Sequence, residues 1–81
     1  MNRQLVQSSS IKSIGYDLVG MLLEVEFVSG AIYQYIGVPI VMYEGLMRAE
    51  SKGKFLSENI KKGGFKYQRV FQNLNEKNEK Q

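Results

Sequence analysis

Residues 22–36 alternate so strictly that they leave the backbone little choice. Leu23, Val25 and Phe27 fall on one side of an extended chain, with Leu22, Glu24 and Glu26 on the other; Ala31, Tyr33 and Tyr35 then alternate with Ile32, Gln34 and Ile36. A period of two marks strands with two unlike faces. Between the runs, Val28-Ser29-Gly30 has the form of a three-residue hairpin loop, with Gly30 in the left-handed conformation that glycine adopts without steric cost. That loop pairs Phe27 with Ala31, Val25 with Tyr33 and Leu23 with Tyr35, so all six share one apolar, aromatic face. A two-residue loop would set Val25 against Gln34 instead, and a one-residue slip turns every side chain to the opposite face. The sequence predicts the three-residue loop.

Strand character extends upstream over residues 5–36, with Ile14, Tyr16 and Leu18 alternating with Ser13, Gly15 and Asp17. Gly37-Val38-Pro39 ends this region, and Pro39 suits a helix start, where its missing N–H costs nothing. Met42, Leu46 and Ala49 recur at helical spacing over residues 40–50 and predict one buried stripe. Gly45 inside that helix predicts a close approach to the sheet. Ser51-Lys52-Gly53 is expected to break the helix, and a second, shorter one is predicted at about 54–61, burying Phe55 or Leu56 with Ile60. After Gly63-Gly64, residues 65–71 predict a last strand. Residues 1–72 read as a single domain and 73–81 as a polar, frayed tail. Strands followed by helices imply an α+β domain: a small antiparallel sheet with two helices packed on one face. Leu22, Ile32 and Ile36 would then lie exposed on the other face, an aliphatic strip that predicts a homo-oligomer.

The chain contains neither cysteine nor histidine among its 81 residues. Disulfide frameworks, cysteine nucleophiles, histidine triads and Cys/His metal sites are excluded on that ground. Glu24 and Glu26 lie two apart on one strand face, but a polar outer face accounts for them. No GxxxxGK[ST] phosphate loop occurs; Ser51-Lys52-Gly53-Lys54 shares its ingredients and not its spacing. No enzyme activity, catalytic residue, metal or cofactor is expected. No apolar stretch reaches the roughly 18 residues needed to span a bilayer, and the N-terminus lacks a signal-peptide pattern. The expected location is cytoplasmic.

A net charge of +3 conceals an asymmetry. Residues 1–50 carry three cationic side chains against five carboxylates, whereas residues 51–70 carry six against Glu58 alone. Clustered lysines attract polyanions, although a solvated lysine-rich face would look the same. Ser51, Lys52, Gly53 and Lys54 bring ammonium groups and backbone N–H groups to the start of the second helix, with Asn59, Lys61 and Lys62 on the next turns. This is a candidate anion site, or simply a turn between helices. Ser8-Ser9-Ser10 is either a turn or a set of phosphate-binding hydroxyls. Tyr16, Tyr33, Tyr35 and Tyr43 offer rings to bases or to the core.

Taken together, several stretches resemble the KTSC domain family. They are Ser8-Ser9 before Ile11; Ser13-Ile14-Gly15-Tyr16-Asp17; the run from Leu23 through Gly30, Tyr33 and Tyr35 to Val38-Pro39; Tyr43, Leu46, Ala49, Ser51, Gly53 and Phe55; and Ile60-Lys61. The pattern covers about residues 6–70. KTSC domains occur as C-terminal appendages of some lysyl-tRNA synthetases and as short stand-alone bacterial and phage proteins. The resemblance implies RNA or nucleotide binding rather than catalysis. The expected function is a non-catalytic module for a phosphate-bearing ligand, with Ser8, Ser9, Tyr16, Ser51, Lys52, Gly53, Lys54, Asn59, Lys61 and Lys62 as candidate ligand-binding residues. The ligand would be a small nucleotide, as in a phage-type homo-oligomeric sponge that sequesters a nucleotide signal, or RNA, as in an RNA-binding accessory domain. A protein-interaction module without a nucleotide ligand is the alternative.

Overall fold

The computed structural model describes residues 2–70. Five antiparallel strands form one sheet in sequence order: β1 (Gln4–Leu5), β2 (Ile11–Asp17), β3 (Leu22–Phe27), β4 (Ile32–Ile36) and β5 (Lys66–Val70). Between β4 and β5 run α1 (Ile40–Arg48) and α2 (Lys52–Phe55), and α2 passes directly into a π-helical stretch, Leu56–Lys61. The hairpin has the predicted register: Leu23 faces Tyr35 and Val25 faces Tyr33. The Phe27 N–H donates to the Ala31 carbonyl at 2.8 Å, and Gly30 has φ +99°. Two-residue β1 opens the sheet at the start of the stretch expected to be strands, residues 5–36. The predicted tail, and Phe71 of the last strand, lie outside the described residues.

β2 contains a bulge. Ile11 faces Phe27 while Ser13 already faces Glu26, so Lys12 is the extra residue. Without it, Ile11 and Ser13 would share a face; with it, Ile11 joins the apolar side and Ser13 the polar side. Ile11, Ile14, Leu23, Val25 and Tyr35 form one buried cluster with Val38 and with Leu46, Leu56 and Ile60 of the helical segments. Full burial of a Leu or Ile side chain contributes about 1.5–3 kcal/mol. Phe27 and Phe55 pack against this cluster without being fully buried.

Three expectations need correction. Ile32 is not exposed: it is 3% accessible, because β5 pairs with β4 and sets Val70 on one side of it and Glu26 on the other. Gly45 approaches Phe55, not the sheet; a Cβ there would lie 2.8 Å from the end of that ring, so the glycine serves helix-to-helix contact. The helix break falls at Ala49–Ser51, and Lys52 and Gly53 already belong to the second helix. There the Ser51 hydroxyl accepts from the Lys54 N–H at 3.3 Å as an N-cap. Within the π-helical stretch, Asn59 Nδ2 donates to the Phe55 carbonyl at 3.2 Å, the carbonyl four residues before it.

Candidate nucleic-acid interface

The serine run and the second helix meet. A Cβ on Gly53 would lie 2.5 Å from Ser10 Oγ, so the loop before β2 sits directly against the turn that carries Lys52 and Lys54. The loop is fixed from within. Ser8 Oγ accepts from the N–H groups of Ser10 (3.3 Å) and Ile11 (3.2 Å), and the Ser10 carbonyl accepts from Val28. Ser8 thus has a turn-forming role, while Ser9 is exposed.

The lysines divide by occupation. Lys52 Nζ donates to the Ala49 carbonyl at 3.1 Å, closing the C-terminal end of α1. Lys61 Nζ sits 5.2 Å from the centre of the Phe27 ring. Lys54 and Lys62 are exposed. None of the four pairs with a carboxylate among the described residues, where the recorded salt bridges join Arg3 to Glu24 and Glu26. Beside them, Ala49, Glu50, Ser51, Lys54, Phe55, Glu58 and Asn59 line an open concavity of about 290 Å³. Its two glutamates make it a poor seat for a phosphate.

Tyr16 is not part of this grouping. It stands at the far end of β2 from the serines, about 20 Å away at strand rise. Its hydroxyl donates to the Val38 carbonyl at 2.6 Å and its ring stacks on Tyr43 at 4.7 Å. Burial, and secondarily the Asp17 carboxylate, raises its phenol above the usual 10.0.

The sequence reading missed Tyr67. β5 sets Tyr67 opposite Tyr35 and Arg69 opposite Tyr33, extending the aromatic face by one strand. Phe27, Tyr33, Tyr67 and Tyr35 form a continuous row, with centroid separations of 6.0, 6.0 and 5.8 Å. Tyr35 is buried, which pushes its phenol up from 10.0, with Tyr33 and Tyr67 adding to the effect. Tyr67 is 64% exposed. The signal in the sequence was the alternation Phe65, Tyr67, Arg69; the missing piece was which strand it joins.

The opposite face is polar and connected. Arg3 donates to Glu24, and its Nε donates to Ser13 Oγ at 3.1 Å; Ser13 donates to Glu26 at 2.8 Å. Gln34 donates to Glu24 at 2.7 Å and Gln68 to Gln34 at 2.9 Å. Both glutamates are therefore engaged in holding strands together.

The model of the KTSC domain matches residues 7–67. The chain belongs to the KTSC domain family. A KTSC domain protein from Yersinia pestis, solved by crystallography, superimposes with a TM-score of 0.81 at 43% identity, covering 86% of this chain and 97% of that one. A protein of Stutzerimonas stutzeri is 41% identical over 70 residues, 86% of this chain and 99% of its own. A lysine–tRNA ligase of Nostoc sp. is 41% identical over 64 residues; these are 79% of this chain but only 11% of the ligase. No helix among the described residues is long and apolar enough to cross a membrane.

Proposed function

We propose that this KTSC domain is a non-catalytic module that binds a phosphate-bearing ligand, and that the ligand is RNA. The observation that carries the reading is the distribution of charge partners. Lys52, Lys54, Lys61 and Lys62 lie on or directly after one helical stretch with no carboxylate paired to them among the described residues, while Glu24 and Glu26 are tied to Arg3 across the sheet. The cationic side is thereby left to attract a polyanion. The resemblance of the segment to part of enzymes named for tRNA supports RNA over a small nucleotide. The reading has both helical segments covering the Leu23/Val25/Tyr35 side of the sheet, which their shared cluster supports. It also keeps self-association, now through exposed Ile36 and half-buried Leu22, without Ile32.

Titration of the protein with tRNA and with a mononucleotide over a range of salt concentrations tests the reading. RNA binding should weaken steeply with salt, in proportion to the phosphates neutralised. Lys54→Ala and Lys62→Ala should each weaken it by about 1–3 kcal/mol, while Lys77→Ala and Lys80→Ala, outside the described residues, serve as charge-matched controls. Equal losses from all four variants would reduce the interaction to diffuse attraction. Tight, salt-insensitive mononucleotide binding would replace RNA by a small ligand, and binding of neither would overturn the reading.

A further inference from the structure

Tyr67 has the environment of a ligand-stacking ring. Its neighbours Tyr33 and Tyr35 hold it at 6.0 and 5.8 Å, with ring planes at 64° and 39°, yet it remains 64% exposed. Tyr67 lies between the other two tyrosines in the row and is the accessible one of the three: Tyr35 is 3% exposed and Tyr33 half-buried. At the end of the row away from Tyr35, Lys61 reaches over Phe27, placing an ammonium group beside that ring. Arg69 adds a second cationic residue on the same face of the sheet. Elsewhere on β5, Lys66, Gln68 and Arg69 are polar and exposed, and the strand's apolar Val70 is set against Ile32 rather than beside Tyr67. Cross-strand ring contact stabilises a strand pair, but it does not account for an accessible ring held between two others in a row that carries a cation at its Phe27 end.

We infer that Tyr67, supported by Tyr33 and Tyr35, is a stacking platform for a base of single-stranded RNA, with Lys61, at the Phe27 end of the same row, for a phosphate further along the backbone. The inference rests on the RNA reading and adds to it the strand state of the ligand and the residue that takes the base. Single-stranded RNA is recognised by unstacked bases laid on aromatic rings, and every base offers a π-face, so sequence preference should be weak.

The test is fluorescence anisotropy of a labelled oligouridylate and of a labelled RNA hairpin with a fully paired stem, using the full chain. The oligouridylate should bind more tightly. Tyr67→Leu keeps an apolar side chain in place but removes the ring, and should weaken oligouridylate binding tenfold or more, as loss of one stacked base does. Tyr67→Phe should bind within about twofold of the unmodified protein. The chain has no tryptophan, so tyrosine emission offers a second readout that does not depend on the leucine variant folding. Oligouridylate should quench the unmodified protein more than Tyr67→Phe. If both readouts show Tyr67 to be indifferent while the RNA still binds, the platform is overturned and the lysine-based reading stands. If the unmodified protein binds no RNA at all, the reading falls and the platform with it.

Discussion

On one side of β3, Leu23 and Val25 are fully buried among aliphatic and aromatic side chains; on the other, Glu24, which stands between them in sequence, is 6% exposed. One face is closed by contact and the other by hydrogen bonds. Burying a carboxylate is costly unless it is paired and its lone pairs are used. Arg3 and Gln34 meet that need for Glu24, and Ser13 does so for Glu26. Arg3 comes from the residue just before two-residue β1, so the polar face also fastens an edge strand too short to hold by backbone pairing alone. The difference teaches that similar burial on the two faces implies different failures: loss of volume on one, an orphaned charge on the other.

Four measurements sharpen or break that comparison. Leu23→Ala should be the most damaging, losing about 2–5 kcal/mol by urea denaturation; a loss below 1 would mean that the cluster can collapse around the gap. Arg3→Ala should cost about 1–3 kcal/mol, because Glu24 would be left buried with one partner fewer. Adding Glu24→Gln to that variant should restore part of the stability, and no restoration would show that charge is not what Arg3 contributes. At alkaline pH, the phenols of Tyr35 and Tyr16 stay protonated longer in the folded than in the unfolded chain, where they titrate near 10.0. Their contribution is therefore fully present below pH 10 and is lost as pH rises through the higher folded values. Thermal melts should show that loss above pH 10, and Tyr35→Phe should reduce it. The smallest effects concern the lysines. Lys52→Ala, which removes the bond to the Ala49 carbonyl, should cost about 0.5–1.5 kcal/mol. Lys54→Ala should stay within about 0.5. Equal stability of the two would remove the distinction between a structural and a free cation.

The alternation of residues 22–36 and the need for a left-handed residue at Gly30 specified the central hairpin, its register and its inner face, because strand period and turn geometry are local properties. The absence of histidine and cysteine and the crowding of lysines after Glu50 were equally legible, since they are matters of composition. Tertiary structure decided what pairs across distance. Burial of Ile32 follows from β5 adding to β4; Gly45 answers to Phe55 from another helix; the Lys12 bulge reconciles two strands whose apolar positions are out of step. Tyr67 became part of an aromatic row only when its strand found its neighbour, and Lys52 was distinguished from Lys54 only by a carbonyl at the end of α1. Local sequence fixes what each segment prefers to be, but the partners of a side chain depend on which segments the fold brings within hydrogen-bonding and van der Waals reach.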